Sequence, residues 1–405
     1  MINPHEIRKE FPIFKDNKTI YLDNAATTYK PQCVIDAVNK YLIHDTANAH
    51  RGDYDTAYRV DQIIDETRSL TREFINAESD NEIVFTNGTT MSLNMVAFGY
   101  AFKFLKKGDE ILLTYAEHAS NTIPWYEVSK RTGAVIKFIA LDKKGRVTAE
   151  NLKEVITPKT KIVSLAHVTN VLGYINDIKS ISKVVHEYGA LLVVDGAQSV
   201  PHLKVDVQEM GIDFLAFSGH KMLGPTGIGI LYGRLELLEA MDAFHGGGGM
   251  NATFDPDGSL AYFGPPLKFE AGTLNLESIY GFNAAIKYIK KIGIENIAKH
   301  EVMLRNYAVE KLAKNENIII YNKDAETGII TFNVKDVFAQ DAASYYNSKG
   351  IAVRSGQHCA KNLKHFLNTP ATIRISIYIY NTKEEIDQFL EVTEGVENYL
   401  DAFFD

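Results

Sequence analysis

The sequence predicts an α/β fold in which a mostly parallel seven-stranded sheet forms a large domain, followed by a smaller α+β domain. Two observations predict the large domain: seven short apolar runs recur between residues 82 and 232, and helical patterns separate several of them. A third observation predicts the small domain, because the alternation gives way to long helical stretches after residue 271.

The predicted strands of the large domain are short and rich in apolar residues. The run Leu191 to Val194 is continuously apolar, which is typical of a parallel strand covered on both faces. Amphipathic spacing at Val60, Ile64 and Leu70 predicts a helix before the first strand. The seven strands are predicted at 82–85, 110–114, 135–141, 161–166, 190–194, 213–216 and 229–232, with helices at 91–105, 149–156 and 178–188.

The C-terminal part of the sequence predicts helices mixed with a few strands. Strands are expected at 318–321, 328–334 and 373–380, and helices at 278–314, 341–348 and from residue 383 onward. We therefore predict three regions. They are an N-terminal arm at 1–20 that packs with the small domain, a large domain at 21–275, and a small domain at 276–405.

Composition excludes several classes of function. The 405 residues contain 43 Lys and Arg against 51 Asp and Glu, so no basic excess exists for binding nucleic acid. No apolar stretch approaches the roughly 20 residues of a membrane span, and the first residues do not resemble a signal peptide. Two cysteines, Cys33 and Cys359, cannot form a disulfide framework or a four-cysteine zinc site. We expect a cytoplasmic protein with reduced thiols and no metal.

Polar residues follow two predicted strands of the large domain. Asp195 ends the apolar run 190–194, and Lys221 follows the run 213–216. They are 26 positions apart, about one passage from strand to strand, so both can face one cleft at the carboxyl edge of the sheet. Such a Lys is a candidate for Schiff-base chemistry, and a buried Asp needs a cationic partner.

This pair is what pyridoxal phosphate (PLP) requires, since a carboxylate supports its protonated ring nitrogen and a lysine binds its aldehyde. Gly88, Thr89 and Thr90 precede a predicted helix and offer backbone amides and hydroxyls for a phosphate. Each feature alone has a simpler interpretation, because a strand-end Asp is usually a cap and a Gly-Thr-Thr sequence is usually a turn. The glycines at 224–229 lead into a strand, which excludes a dinucleotide-binding loop.

Seven motifs occur in a characteristic order: T-N-G-T-T, A-E-H-A-S-N, H-V-T-N-V-L-G, V-D-G-A-Q, S-G-H-K, F-E-A-G-T and R-S-G-Q-H-C-A. In this set the sequence resembles the PLP-dependent cysteine desulfurases of the class V aminotransferase-like family, which have the fold-type I architecture. It is most similar to their SUF-type (group II) branch. The resemblance extends from Tyr21 to about residue 380.

The resemblance implies roles in cofactor binding. Lys221 would bind PLP covalently and move protons, and Asp195 would pair with the ring nitrogen. Gln198 would bond the phenolic oxygen, while His118 would stack on the ring and relay a proton. The residues implied to hold the phosphate are Thr89, Thr90, Ser218 and His220, together with Thr273 from the second subunit of a homodimer.

The resemblance also implies a substrate site and a nucleophile. Asn170, Arg354 and Arg374 would bind the substrate carboxylate, and Cys359 would take the sulfur. A lone cysteine is more often a small packing residue, but Cys359 lies in a polar loop that contains glycine, with Arg354 and His358 nearby to favour the thiolate.

Cys33, at the start of a predicted helix, fits the packing role. A metal site at His358, Cys359 and His365 is not supported by any further ligand cluster.

We therefore expect a sulfurtransferase that converts L-cysteine to L-alanine and passes a persulfide on Cys359 to an acceptor protein of the SUF system for iron–sulfur cluster assembly. Selenocysteine lyase activity on L-selenocysteine is the nearest alternative. Another PLP aminotransferase, epimerase or C–S lyase is the second, and a non-catalytic scaffold the third. Gln357 and the pair Lys361 and Asn362 depart from the branch pattern, where His and a proline are common. These departures concern sulfur transfer to the acceptor.

Overall fold

The computed structural model describes residues 2–49 and 52–400. Its strands, in chain order, are β1 (Ile20–Tyr21), β2 (Ile83–Thr86), β3 (Glu110–Thr114), β4 (Val135–Ile139), β5 (Thr160–Ala166), β6 (Leu191–Asp195), β7 (Phe214–Ser218), β8 (Gly229–Gly233), β9 (Asn251–Phe254), β10 (Leu260–Tyr262), β11 (Ile318–Ile320), β12 (Ile329–Val334), β13 (Ile351–Ala352), β14 (Arg354–Gly356) and β15 (Thr372–Ser376).

The helices are α1 (Pro4–Lys9), α2 (Gln32–Lys40), α3 (Asp55–Ile75), α4 (Thr89–Met95), α5 (Phe102–Phe104), α6 (Ile123–Thr132), α7 (Ala149–Lys153), α8 (Ile178–Glu187), α9 (Val207–Met210), α10 (Leu235–Ala240), α11 (Leu276–Ile292), α12 (Ile294–Leu312), α13 (Ala339–Ser348), α14 (Lys364–Leu367) and α15 (Lys383–Glu394).

The seven predicted strands form one sheet, in the order β2-β8-β7-β6-β5-β3-β4. β8 is antiparallel to both of its neighbours, and the other strands run in one direction. Successive residues of β3 pack into different apolar clusters, with Leu112 in one and Ile111 and Leu113 in the other. Both faces of the sheet are therefore covered, which explains the continuously apolar strands and confirms the predicted α/β sheet.

The C-terminal part contains a second, antiparallel sheet in the order β11-β12-β15-β14. The helix predicted at 278–314 is two helices, because the chain turns at Gly293 with a φ of 87°, which is unfavourable for other residues. β15 ends at Ser376, earlier than predicted, because the following residues leave the sheet and the Tyr378 hydroxyl donates to the Pro201 carbonyl.

The N-terminal segment contacts elements from the far end of the chain. β1 pairs in parallel with β13, so that Ile20 lies opposite Ile351. The Phe11 ring packs against the rings of Tyr288 and Tyr380. Helix α11 packs into the same apolar cluster as one face of the seven-stranded sheet. The domain limits at 20/21 and 275/276 stay predictions, and residues 1, 50, 51 and 401–405 of the predicted regions lie outside the described residues.

Further elements differ from the sequence prediction. The helix predicted at 91–105 contains a wider π-helical turn at Val96–Ala101, between α4 and α5. Helix α6 and the β9–β10 hairpin were not predicted. Most residues of the two hairpin strands are exposed to solvent. None of the described helices combines the length and hydropathy that crossing a membrane requires.

Candidate active site

A cavity of about 210 Å³ lies at the carboxyl edge of the seven-stranded sheet. Because parallel strands end at the same edge, the segments that follow β2, β3, β5, β6 and β7 meet there. The predicted site residues that line this cavity are Thr89, Thr90, His118, Asn170, Asp195, Gln198, Ser218, His220, Lys221, Arg354 and Arg374. Two predicted residues, Thr273 and Cys359, are not among its lining residues.

Asp195 and Lys221 both line this cavity, where their opposite charges attract each other. Asp195 is the last residue of β6 and lies opposite Ala216 of β7, which places the two strand ends side by side. Burial raises the pKa of Asp195, while the Ala197 amide, 2.9 Å from Oδ1, and Lys221 oppose that shift. Burial also lowers the pKa of Lys221 to about 8, against the attraction of Asp195. A substantial fraction of the Lys221 side chain is therefore in the neutral amine form slightly above pH 7.

Hydroxyl groups gather at one end of the cavity. Gly88 has a φ of 143° and an added Cβ would lie 3.3 Å from the Ser218 hydroxyl, so the turn requires glycine. The Thr89 amide donates to Ser218 Oγ at 2.8 Å, and the two hydroxyls are 2.7 Å apart. The Thr90 hydroxyl lies 2.7 Å from that of Ser120. Rotatable hydroxyls so arranged can donate to the oxygens of a phosphate.

His118 enters the cavity from the turn that follows β3. Its Nδ1 accepts a hydrogen bond from the Ser120 amide at 3.1 Å, so the ring proton is on Nε2. Burial, together with the positive charges of Lys221, Arg354 and Arg374, lowers the pKa of His118 to about 4. The imidazole is thus neutral near pH 7 and offers one N–H donor.

A buried acid beside His118 was missed by the sequence prediction. Glu117 accepts hydrogen bonds of 2.7 Å from the Thr114 hydroxyl and the Asn121 amide, and so joins both ends of the segment that carries His118. Burial, with a contribution from Asp195 and against the hydrogen bonds of Thr114 and Asn121, raises the pKa of Glu117 to about 7. Glu117 is part of the A-E-H-A-S-N motif, but nothing in the sequence pattern indicated that its side chain would be buried or have a structural role.

Arg374 is a fully buried guanidinium, 2% exposed, on β15. Its Nη2 donates to Asp23 Oδ1 at 2.8 Å and its Nη1 donates to the Asn170 carbonyl at 2.8 Å. Arg354 lies directly opposite on β14. Asp23 was not predicted as a site residue, although it lies within the stretch Tyr21 to Ala26 where the resemblance begins. The two arginines with one acid leave net positive charge, which suits an anionic ligand group.

The Cys359 loop lies beside the cavity. His358 and Cys359 both have left-handed backbone conformations, with φ of 50° and 59°. The Asn170 amide donates to the His358 carbonyl at 2.7 Å, and the Ala119 amide donates to the Cys359 carbonyl at 2.7 Å. The Cys359 side chain is exposed. The loop is thus held to two segments of the site while its thiol faces outward.

His358 is buried, and its Nε2 lies 2.9 Å from the Thr372 hydroxyl. Burial, together with the positive charges of Arg374 and Arg354, lowers the pKa of His358 to about 3. The ring is therefore neutral near pH 7 and adds no positive charge of its own beside Cys359. The expectation that Arg354 and His358 favour the Cys359 thiolate stays a prediction.

Thr273 lines a second cavity of about 420 Å³, together with Asn87, Met91 and His245. It is therefore absent from the lining of the main cavity within this chain. Among the residues that the structure describes, no group of three or more His, Cys, Asp or Glu side chains is placed to hold a metal ion.

The main cavity fits PLP. Gln198 donates from Nε2 to the Ala25 carbonyl at 2.7 Å, but its Oε1 is buried without a partner among the described residues. Asn170 Oδ1 is also buried and unpaired there. Buried polar atoms are rarely left unpaired, so both oxygens indicate a polar occupant. The cavity further supplies an acid, a lysine of lowered pKa and a group of hydroxyls, which match a pyridine nitrogen, an aldehyde and a phosphate.

Comparisons with known proteins agree with this geometry. Residues 20–389 match the model of the family "Aminotransferase class-V". The chain is 43% identical to a probable cysteine desulfurase of Halalkalibacterium halodurans, over 100% of both chains.

Two solved structures, both 36% identical in sequence, have the same fold. The cysteine desulfurase CsdA of Escherichia coli has a TM-score of 0.92 and covers 98% of this chain and 99% of its own. The apo cysteine desulfurase of Thermococcus onnurineus NA1 has a TM-score of 0.93 and covers 98% of each chain. The chain therefore belongs to the class-V aminotransferase family of PLP-dependent enzymes and, within it, to the cysteine desulfurases.

Proposed function

We propose that the protein converts L-cysteine to L-alanine and retains the substrate sulfur as a persulfide on Cys359. The observation that carries this proposal is the position of the Cys359 loop. Its two consecutive carbonyls are bonded to Asn170 and Ala119, at the rim of a cavity that contains Asp195 and Lys221. A nucleophile other than the lysine is thereby held next to a PLP site.

Bound PLP would supply an electron sink that eases bond breaking at the substrate Cα and Cβ. The Asp195 carboxylate would stabilise a proton on the ring nitrogen, and the Gln198 amide would bond the phenolic oxygen. His118 would cover the ring and use its Nε2 proton as a donor. Lys221 would bind the aldehyde and, as a free amine, move the substrate Cα proton. The remaining oxygens would be held by Thr89, Thr90, Ser218 and His220.

The substrate carboxylate would lie at the positive end of the cavity. Arg374 and Arg354 would bind it, and Asn170 would add its side-chain amide. Asp23 would hold the Arg374 guanidinium in place, since their atoms are 2.8 Å apart. A planar guanidinium that is already fixed loses little entropy when it binds a carboxylate.

The sulfur step balances without an added oxidant. The Cys359 thiolate forms a bond to the substrate sulfur, and the bond from that sulfur to Cβ breaks with its electron pair left on Cβ. Cβ then takes a proton and becomes the methyl group of alanine. The two sulfurs are oxidised to a persulfide while the carbon is reduced. The exposure of Cys359 supports a later transfer of this sulfur to a second protein.

We further propose that the enzyme is of the SUF type, acts in the cytoplasm as a homodimer, and passes its sulfur to an acceptor protein for iron–sulfur cluster assembly. The motif set supports the SUF assignment, and the two free cysteines suit a reducing compartment. Thr273 supports the dimer, because it would complete the phosphate site of a second subunit rather than its own. The domain limits at 20/21 and 275/276 are part of the same proposal.

Single-turnover labelling tests the proposal. With ³⁵S-cysteine, wild-type protein should form one labelled persulfide and one alanine, and Cys359→Ser should form neither at a comparable rate. Cys33→Ser is the matched control, because Cys33 is exposed at the start of α2 and outside the cavity lining. Alanine production by Cys359→Ser at the wild-type rate would contradict the mechanism.

The same variant separates the alternatives. Selenium leaves more easily than sulfur, so a selenocysteine lyase would keep its activity toward L-selenocysteine in Cys359→Ser. An aminotransferase or another C–S lyase would give a product other than alanine from cysteine. Identifying the product that the wild-type protein forms from L-cysteine tests this second alternative.

A further inference from the structure

Lys30 is a half-buried basic residue that the proposed mechanism does not use. Its ammonium donates to the Thr28 carbonyl at 2.7 Å and to the His220 carbonyl at 2.9 Å. All of the hydrogen bonds that the described residues give it are with neutral oxygens. Burial lowers the pKa of Lys30 to about 7, and the group can donate both as an ammonium and as a neutral amine. Its two short hydrogen bonds to backbone carbonyls indicate a structural role.

The His220 carbonyl is the point on which several donors converge. The Thr28 amide donates to it at 3.1 Å, and the Thr27 hydroxyl also donates at 3.1 Å. With Lys30, three neighbouring residues of one segment thus fix a single oxygen. The Thr28 hydroxyl is also within reach, at 3.2 Å. A carbonyl has only two lone pairs, so these contacts cannot all be strong, and the contact from Lys30 is the shortest of them.

This oxygen belongs to the peptide bond that joins His220 to Lys221. The six atoms of a peptide unit are coplanar, from the Cα of one residue to the Cα of the next. Fixing the His220 oxygen therefore fixes the plane that contains the Lys221 nitrogen and Cα. The direction in which the Lys221 side chain enters the cavity depends on that plane.

The segment that supplies the donors also contacts the other functional groups. The Ala25 carbonyl accepts from Gln198 Nε2 at 2.7 Å, and Asp23 bonds Arg374 at 2.8 Å. One stretch of chain, residues 23–30, thus touches groups proposed to bind the ring, the substrate and the lysine turn. Its contacts with the lysine turn come from Thr27, Thr28 and Lys30, of which Lys30 makes the shortest.

We propose that Lys30 is a positioning residue for Lys221, because its ammonium holds the His220 carbonyl and with it the peptide plane from which the Lys221 side chain projects. This inference rests on the proposed role of Lys221 in binding PLP. It assigns Lys30 no contact with substrate or cofactor.

The test replaces the ammonium by an apolar chain of similar length. Lys30→Met should bind PLP at least about tenfold more weakly than wild type, since a hydrogen bond from a charged donor is lost. The visible circular dichroism of the bound cofactor should also change, because it reports the orientation of the cofactor in its site. Lys30→Arg keeps a charged donor and should retain most of the wild-type affinity and signal. Lys161→Met is the matched control, since Lys161 donates to the Pro158 carbonyl at 3.1 Å on the surface.

Three outcomes are decisive. Borohydride reduction followed by peptide mapping should find PLP on Lys221, and attachment to another lysine would overturn the proposed function. If Lys221 is labelled but Lys30→Met keeps the affinity and dichroism of wild type, the role of Lys30 is overturned. If Lys30→Met does not fold, Thr27→Val removes another donor to the same carbonyl and is judged by the same two measurements.

Discussion

The backbone amide of Ala119 donates a hydrogen bond of 2.7 Å to the carbonyl of Cys359. Ala119 directly follows His118, which lines the cavity, and Cys359 is the exposed thiol of the neighbouring loop. This bond links the proposed sulfur carrier to a segment fixed by the buried side chain of Glu117. One backbone hydrogen bond therefore joins the loop of the proposed sulfur carrier to the segment that carries His118.

Removing this contact should slow sulfur transfer without loss of PLP. Ala119 is the first residue of a short helical turn, where proline is well tolerated, and His118 has an extended ψ of 148° that suits the residue before a proline. Ala119→Pro eliminates the amide donor. We expect alanine formation from cysteine to fall about fivefold to tenfold. The measurement is the single-turnover rate at equal PLP content.

The control for this experiment is Ala119→Ser, which keeps the amide. A proline variant as fast as wild type would show that the bond does not position Cys359. Loss of PLP from the proline variant would show instead that the substitution also displaces the His118 side chain.

Arg374→Lys should weaken substrate binding more than it slows turnover. A lysine cannot reproduce two parallel hydrogen bonds to a carboxylate, nor the bonds that Arg374 makes to Asp23 and Asn170. We expect KM for L-cysteine to rise about tenfold or more, with a smaller change in kcat. Steady-state kinetics with the exposed Arg131→Lys as control measure both constants. A fall in kcat at unchanged KM would contradict the assignment.

The seven-stranded sheet and most of the cavity could be predicted from the sequence. Strand runs such as 110–114 are apolar because both faces of the sheet are covered, so composition alone marks them. Asp195 and Lys221 were placed together because parallel strands end at one edge, which is a general property of the fold. The resemblance of the sequence motifs to a known family then identified most of the other polar residues that line the cavity.

Contacts between distant segments could not be predicted in the same way. Asp23 and Arg374 are separated by 351 positions, and Lys30 and His220 by 190. No periodicity encodes such pairings, since they depend on how the N-terminal segment crosses the sheet. The state of His358 was also missed, because burial, which sets its pKa, is a property of the folded chain.

Reconstitution of the apoprotein with PLP should depend on pH in the range set by Lys221. Burial lowers the pKa of this amine to about 8 from an ordinary value of 10.5, and the neutral amine is the form that attacks an aldehyde. The rate of covalent PLP attachment should therefore rise as the pH rises through about 8 and level off above it. Stopped-flow absorbance at several pH values measures this rate. A half-maximal rate near 10.5 would contradict the burial of the free amine.

Glu270 of the F-E-A-G-T motif should be essential for stability. Its two oxygens each accept a hydrogen bond of 2.9 Å from Arg68, and one also accepts from the Phe85 amide at 2.8 Å. Both side chains are less than 10% exposed, at 7% and 2%. Glu270→Gln leaves a buried guanidinium uncompensated, so we expect the free energy of unfolding to fall by about 3–5 kcal/mol. Urea unfolding of the apoprotein measures this loss.

The double variant Arg68→Met with Glu270→Gln separates the interaction between these two side chains from the interactions that each makes with other residues. Once the guanidinium is gone, the remaining amide no longer faces an unpaired charge, so the double variant should lose less free energy than the sum of the single variants. Simple addition of the two losses would mean that Arg68 and Glu270 act independently. In that case the Phe85 amide and the Ile83 carbonyl, which also bond this pair, would account for the stability.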